Sequence, residues 1–204
     1  MYKSVITIVF MCLVFVYAGD NPKDYKKPLS AVKTIKNDNI GLYVGIFTGW
    51  MRLEDSYTKE YFETIPIGLQ IGYKFNPYLS LEGRYMRDVG KVSYDGGNTT
   101  SQDSDDFDTT FSNLAIFLKP QYSYESYVFY ALLGYGEVSL SDIKGADRSE
   151  DGFEWGVGMA YDINKNISLF IDYISAYNDK GFGGRATDRD VSVDSVSLGV
   201  NYEF

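Results

Sequence analysis

The 204-residue chain contains no histidine. This removes the side chain that changes charge near neutral pH and the usual general base of hydrolases. Ser–His–Asp triads and His-ligated zinc sites are therefore excluded. No Gly-rich phosphate loop is present, and the single cysteine, Cys12, lies in an amino-terminal apolar run. Two groupings of charge remain. Asp103, Asp105, Asp106 and Asp108 set out alternate carboxylates of the kind that ligate Ca²⁺ or Mg²⁺. They lack the glycine and the bidentate Glu of an EF-hand loop, and read as a solvated acidic loop. The second grouping, Lys74, Glu82, Arg84, Lys119 and Asp172, falls on one face of segments that alternate apolar and polar residues. No catalytic residue, cofactor or metal site is expected, and the chain is not expected to be an enzyme.

The alternation is plainest at the carboxyl end. Val196, Leu198, Val200, Tyr202 and Phe204 are apolar or aromatic, with Ser197, Gly199, Asn201 and Glu203 between them. A period of two gives a strand one greasy face. Closing on an aromatic residue suits the last strand of an outer-membrane barrel, which must seal against the first while its outer face meets lipid. Val200, Tyr202 and Phe204 are the expected assembly signal of that closing strand. At the other end, Lys3 precedes the apolar run Val5–Val16, and Val16-Tyr17-Ala18 offers small residues for cleavage. The run is too short to cross a bilayer as a helix and reads as a secretory signal, residues 1–18. Without Cys12, no disulfide or thiol site remains. Residues 19–39, rich in Lys, Asp and Asn, read as a periplasmic leader with weak structure, and 40–204 as the barrel.

Eight strands are expected, roughly Gly41–Leu53, Phe62–Phe75, Tyr78–Val89, Thr109–Tyr122, Tyr127–Leu140, Gly152–Ile163, Ile167–Tyr177 and Val191–Phe204. Pro66 must lie near a strand start or a missing ladder bond, and Pro120 marks the end of the fourth strand. Tight turns at Asn76-Pro77, Ser123–Ser126 and Asn164–Asn166 alternate with longer polar connections at 54–61, 90–108, 141–151 and 178–190. Short turns on one side and long loops on the other are the asymmetry of an outer-membrane barrel with its long loops outside the cell. The fold class is thus all-β, an eight-stranded antiparallel up-and-down transmembrane β-barrel. Eight is also the strand number whose interior side chains can just fill.

Polarity separates this from a lipocalin or a soluble periplasmic sandwich. A soluble core containing Lys74, Glu82, Arg84, Lys119 and Asp172 costs several kcal/mol per ion unless they pair. As a lumen the same set is reasonable, so Ile65, Ile67, Leu69 and Ile71 and their counterparts are assigned to lipid. The chain is acidic: 19 Lys and Arg against 28 Asp and Glu, a net −9, or −10 once Lys3 leaves with the signal. That balance argues against nucleic acid as a partner.

The run Ile67-Gly68-Leu69-Gln70-Ile71-Gly72-Tyr73-Lys74-Phe75-Asn76-Pro77-Tyr78-Leu79-Ser80-Leu81-Glu82 resembles the second hairpin of the OmpA transmembrane domain. The end, Ser197 to Phe204, is similar to its closing strand. Tyr130–Gly134 and Gly156–Tyr161 resemble its fifth and sixth strands. The likeness covers about 40–204 and implies a barrel-only member, without the peptidoglycan-binding domain that follows the barrel in OmpA. Family members keep a lumen ion-pair cluster in which a central Glu exchanges basic partners and opens or shuts a narrow pore. Glu82 matches that Glu, but Phe170 stands where the family has Arg and Ala160 where it has a second Glu. Arg84, Lys74 or Lys119 is left to pair with Glu82, as a static plug.

The expected role is structural and surface-interactive, through four extracellular loops above a lumen plugged by polar and aromatic side chains. The alternative is a small porin-like channel for ions or small solutes. The expected location is the outer membrane. The expected partners are its lipids and lipopolysaccharide, the barrel-assembly machinery with periplasmic chaperones, and a host or surface ligand at the loops. Deleting Phe204 is expected to impair assembly. Quantifying the protein in the outer-membrane fraction checks this, and a normal level would remove the role given to that residue.

Overall fold

The computed structural model describes residues 40–55, 61–89, 93–95, 110–143, 146–180 and 190–204, all within one compact unit. The expected signal 1–18, the leader 19–39 and the acidic run Asp103–Asp108 lie outside them. The strands are β1 (Gly41–Asp55), β2 (Tyr61–Thr64), β3 (Pro66–Asn76), β4 (Leu79–Asp88) and β5 (Ser93–Asp95). They continue as β6 (Thr110–Tyr124), β7 (Tyr127–Ile143), β8 (Ala146–Asp162), β9 (Ile167–Lys180) and β10 (Asp190–Glu203). Only Ile65 separates β2 from β3, and both pair with β1, so they form one interrupted crossing. β5 adds a short pairing to β2.

Each long strand pairs antiparallel with its neighbour in sequence, and β10 returns to β1. The result is a closed barrel of eight crossings. No helix among the described residues is long and apolar enough to cross a membrane; the strands cross it. Closure is what permits a sheet in hydrocarbon, because an open edge would leave backbone N–H and C=O groups without partners.

The alternation resolves into an apolar outside and a mixed inside. Along β3, Ile67, Leu69, Ile71, Tyr73 and Phe75 are exposed, while Gly68, Gln70 and Gly72 are buried. Ile46, Leu69 and Leu114 are 62, 60 and 60 % exposed, an arrangement that only lipid makes favourable. Phe75, Tyr78, Tyr122, Tyr124, Tyr202 and Phe204 ring the end that carries the short turns, and Trp50, Tyr85, Tyr135 and Phe153 ring the other. Aromatic rings collect at both membrane interfaces because one edge is apolar and the other tolerates water.

The short turns use familiar chemistry. The Asn76 side chain accepts from the Tyr78 N–H at 2.8 Å, and Asn164 accepts from Asn166 N–H at 2.8 Å. Such Asx contacts close a turn without a further residue. Glu125, at φ 55°, takes the left-handed position of the turn between β6 and β7. β3 begins at Pro66, where a missing N–H costs no ladder bond.

Two expected boundaries are corrected. Pro120 does not end its strand: β6 runs on to Tyr124, and the β6–β7 register Leu118↔Leu133 resumes unchanged at Gln121↔Tyr130. The proline is accommodated in the gap. The connection expected at 141–151 is mostly strand, since β7 reaches Ile143 and β8 starts at Ala146. At 17 residues each, these strands exceed the roughly 9–11 needed to cross hydrocarbon. Above the lipid neither face need be apolar, so Ser141, Asp142, Asp147 and Arg148 erase the period of two while the ladder continues.

Leu69 lies within the apolar band, so placing a charge there tests which face meets lipid. Leu69→Arg is expected to lower stability by roughly 2–4 kcal/mol, read from urea unfolding in lipid vesicles. An unchanged unfolding curve would contradict the assignment.

Candidate functional site: the barrel lumen

The inward faces build the site from two similar rows. In the first, Tyr43 on β1, Gly72 on β3 and Glu82 on β4 lie opposite one another. The Tyr43 ring lies over Gly72 and its hydroxyl donates to Glu82 Oε2 at 2.5 Å. In the second, Tyr130 on β7, Gly158 on β8 and Asp172 on β9 are aligned, and the Tyr130 hydroxyl donates to Asp172 Oδ2 at 2.9 Å. The glycines are required. A Cβ at Gly72 would stand 2.2 Å from the Tyr43 ring, and one at Gly158 would stand 2.4 Å from the Tyr130 ring.

Arg84 joins the rows. Its Nε donates to Glu82 Oε1 at 2.6 Å and its Nη2 to Asp172 Oδ2 at 2.7 Å. Its guanidinium lies among three rings, 5.5 Å from the Phe47 and Phe170 centroids and 5.9 Å from Phe117. Lys119 donates to Glu82 Oε2 at 2.8 Å and stands 4.1 Å from the Tyr130 ring centroid and 5.3 Å from that of Tyr43. Glu82 and Arg84 are 0 and 3 % exposed. Two cations and two carboxylates thus balance in a region without access to bulk water. Ions desolvated in this way persist because they are paired and ring-packed.

Lys74 does not join this group. It donates to Glu203 Oε1 at 2.5 Å, at the end of the barrel where the short turns lie. The remaining four members of the expected set, Glu82, Arg84, Lys119 and Asp172, are brought together. Glu154 was not expected. It is fully buried and accepts one hydrogen bond at 2.6 Å from Asn113 Nδ2, with its second oxygen unpartnered. No group of three or more His, Cys, Asp or Glu among the described residues is placed to hold a metal ion. Val200, Tyr202 and Phe204 are exposed on the outer face, and the Tyr202 and Phe204 rings meet edge to face.

A sequence signal exists for the Arg84–Asp172 contact. Residues 67–85 and 155–173 align without gaps, with Gly68/Gly156, Tyr73/Tyr161, Asn76/Asn164, Ser80/Ser168, Leu81/Leu169 and Tyr85/Tyr173 identical. The two hairpins, β3–β4 and β8–β9, lie four crossings apart, on opposite walls of an eight-crossing barrel. Equivalent positions carry opposite charge: Lys74 faces the position of Asp162, and Arg84 that of Asp172. The repeat therefore sets a cation and a carboxylate at matching depth across the axis.

Sequence comparison decides the family. The outer membrane protein beta-barrel domain model matches residues 28–204. The chain belongs to that family. As an outer membrane barrel of the OmpA-like type it resides in the outer membrane. No curated protein matches it in sequence. Among solved structures, Neisserial surface protein A is 17 % identical with a TM-score of 0.55, covering 80 % of this chain and 97 % of its own. Ail, the attachment invasion locus protein of Yersinia pestis, is 20 % identical with a TM-score of 0.52, covering 81 % and 100 %. Ail in complex with the heparin analogue sucrose octasulfate gives 19 % and 0.51, with the same coverage. These likenesses show a shared fold.

Arg84→Met leaves two buried carboxylates short of a partner and is expected to cost roughly 3–5 kcal/mol. Adding Asp172→Leu should recover part of that loss, because an apolar replacement removes one of the stranded charges. Urea unfolding of the single and double variants measures the coupling, and simple additivity would show that the pair does not interact.

Proposed function

We propose that this outer membrane protein is a non-enzymatic anchor that presents its extracellular connections to surface partners, with a lumen that does not conduct. The supporting observation is the burial of the lumen side chains. Tyr43, Glu82, Arg84, Phe117, Leu132 and Phe170 are each at most 3 % exposed. Residues lining a water-filled path would be wetted. Instead, the Phe47, Phe117 and Phe170 rings and the four-ion network occupy the space that eight strands enclose.

Absence of histidine throughout the chain supports a non-enzymatic role. The partner surface then falls to the ends. The outward apolar band contacts outer-membrane lipid, with lipopolysaccharide at its outer rim. Val200, Tyr202 and Phe204 present the pattern for assembly factors and periplasmic chaperones. Ail was crystallised with a polysulfated ligand, whereas the net charge of −9 here disfavours polyanions. A neutral or cationic host or surface ligand fits this chain better.

Purified protein reconstituted in a planar bilayer is expected to show no steady conductance. Regular porin-like steps would overturn the anchor reading in favour of a small channel.

A further inference from the structure

The lumen has two layers of different chemistry. Beyond the ion network, towards the end with the long connections, six of the eight crossings place apolar side chains inward, with Thr64, Ser175 and Ser195 buried among them. On β1, Tyr43 is succeeded along the lumen by Phe47 and Met51, and on β4 Met86 follows Glu82 and Arg84. On β6, Phe111 lies beyond Asn113, Ala115, Phe117 and Lys119. On β7, Val138 and Leu140 lie beyond Tyr130 and Leu132. On β9, Ile174, Ala176 and Tyr177 follow Asp172, and Val191 and Val193 occupy the same end of β10. All of these are buried and belong to one packed cluster. Pro66 of β3 is also fully buried. At β8 the layer rests on the Asn113–Glu154 hydrogen bond.

The two layers differ in charge. Buried polar atoms without partners occur in both layers, Arg84 Nη1, Asp172 Oδ1 and Gln70 Oε1 in the ionic one and Thr64 Oγ1, Ser195 Oγ and Glu154 Oε2 in the other, but the ionic layer alone holds the paired charges that can exchange partners. The extracellular layer offers hydrocarbon from six crossings, interrupted by the hydroxyls of Thr64 and Ser195 beside Met51 and by the Glu154 carboxylate, and among the described residues it has no cation. An apolar constriction blocks ions by staying dry, since an ion must shed its hydration shell with nothing to replace it.

We infer that the extracellular apolar layer is a second seal in series with the ion network, so that rearranging the network alone does not open the barrel. This rests on the non-conducting reading above, and names what enforces it. Contact across the barrel explains why the seal is local: Met51, Met86, Phe111, Leu140 and Val193 come from separate crossings, and shortening several of them leaves the ladders untouched.

The test is planar-bilayer conductance of three proteins, each first shown to be folded by its heat-dependent gel mobility and its β-sheet circular dichroism. The unaltered protein is expected to be silent; steps from it would overturn the non-conducting reading itself. Glu82→Ala with Lys119→Ala removes one balanced ion pair and is expected to be silent as well. Discrete conductance from this double variant would overturn the second seal while leaving the non-conducting reading intact. Adding Phe111→Ser, Leu140→Ser and Val193→Ser to that variant is expected to give ion conductance at least ten-fold above the bilayer background. A silent but folded five-fold variant would also overturn the inference, since the layer would then not be the remaining barrier. Should the five-fold variant not fold, Glu82→Ala, Lys119→Ala and Phe111→Ser together make the same test, with the same silent result overturning it.

Discussion

The joining of β1 to β10 is the constraint on which the molecule depends. A sheet in hydrocarbon cannot keep an open edge, because each unpaired backbone group costs several kcal/mol with no water to accept it. The ladder runs from Tyr43 opposite Glu203 to Asp55 opposite Val191. Side chains reinforce it from inside. Gln70 Nε2 donates to Asn201 Oδ1 at 2.6 Å, and Lys74 reaches Glu203, so β3 is tied to β10 across the intervening β1. Gly45 makes the first tie possible: a Cβ there would lie 2.2 Å from Asn201 Oδ1. Ordinary polar residues on three adjacent strands thus stitch the seam where the first and last crossings meet.

Closure at eight crossings then dictates the interior. The enclosed space is narrow, so large inward side chains need recesses, and glycines on neighbouring strands supply them. Phe47 occupies the space of a Gly68 side chain, Phe117 that of Gly134 and Phe170 that of Gly199. With lipid outside, the apolar outer face gains little from burial in the usual sense. Packing within the lumen and the backbone ladders carry the specificity that a soluble protein draws from its core. The same crowding that stabilises the barrel removes the water a pore would need, so occlusion follows from the filling.

Fold, face polarity and turn positions were legible because the membrane enforces them residue by residue. A one-residue slip in Ile65–Phe75 or Val196–Phe204 would turn an apolar row inward, and neither pattern permits it. Legibility ended where lipid ended. Beyond the interface 141–143 and 146–148 need not alternate, and the strand ends there could not be recognised from hydropathy. The Lys74 assignment failed for another reason: a period of two gives the face of a residue and not its depth. Lys74 shares a face with Glu82 yet lies at the end that carries the short turns, where it meets Glu203. Depth was available in the repeat between 67–85 and 155–173, which sets Arg84 and Asp172 level. Glu154 had no such mate: the alternation gave its inward face, and nothing in the sequence tied it to Asn113 across the intervening β7.

The ion network itself is better understood as a device for register than as a source of stability. Buried ion pairs generally return little beyond their desolvation cost, and apolar residues of similar size often serve as well. Their value lies in what a misaligned barrel would contain. Arg84 can meet Glu82 and Asp172 together only if β4 and β9 sit at matching depth on opposite walls, and Lys119 reaches Glu82 only if β6 follows β4 in the observed register. A shift of β6 by two residues preserves every inward and outward face, and so passes the hydrophobic test unnoticed. It would nevertheless strand the Lys119 cation in the lumen and leave Glu82 with Arg84 as its one cationic partner. The alternation therefore selects the face, and the four charges select the depth; an apolar lumen would supply only the first.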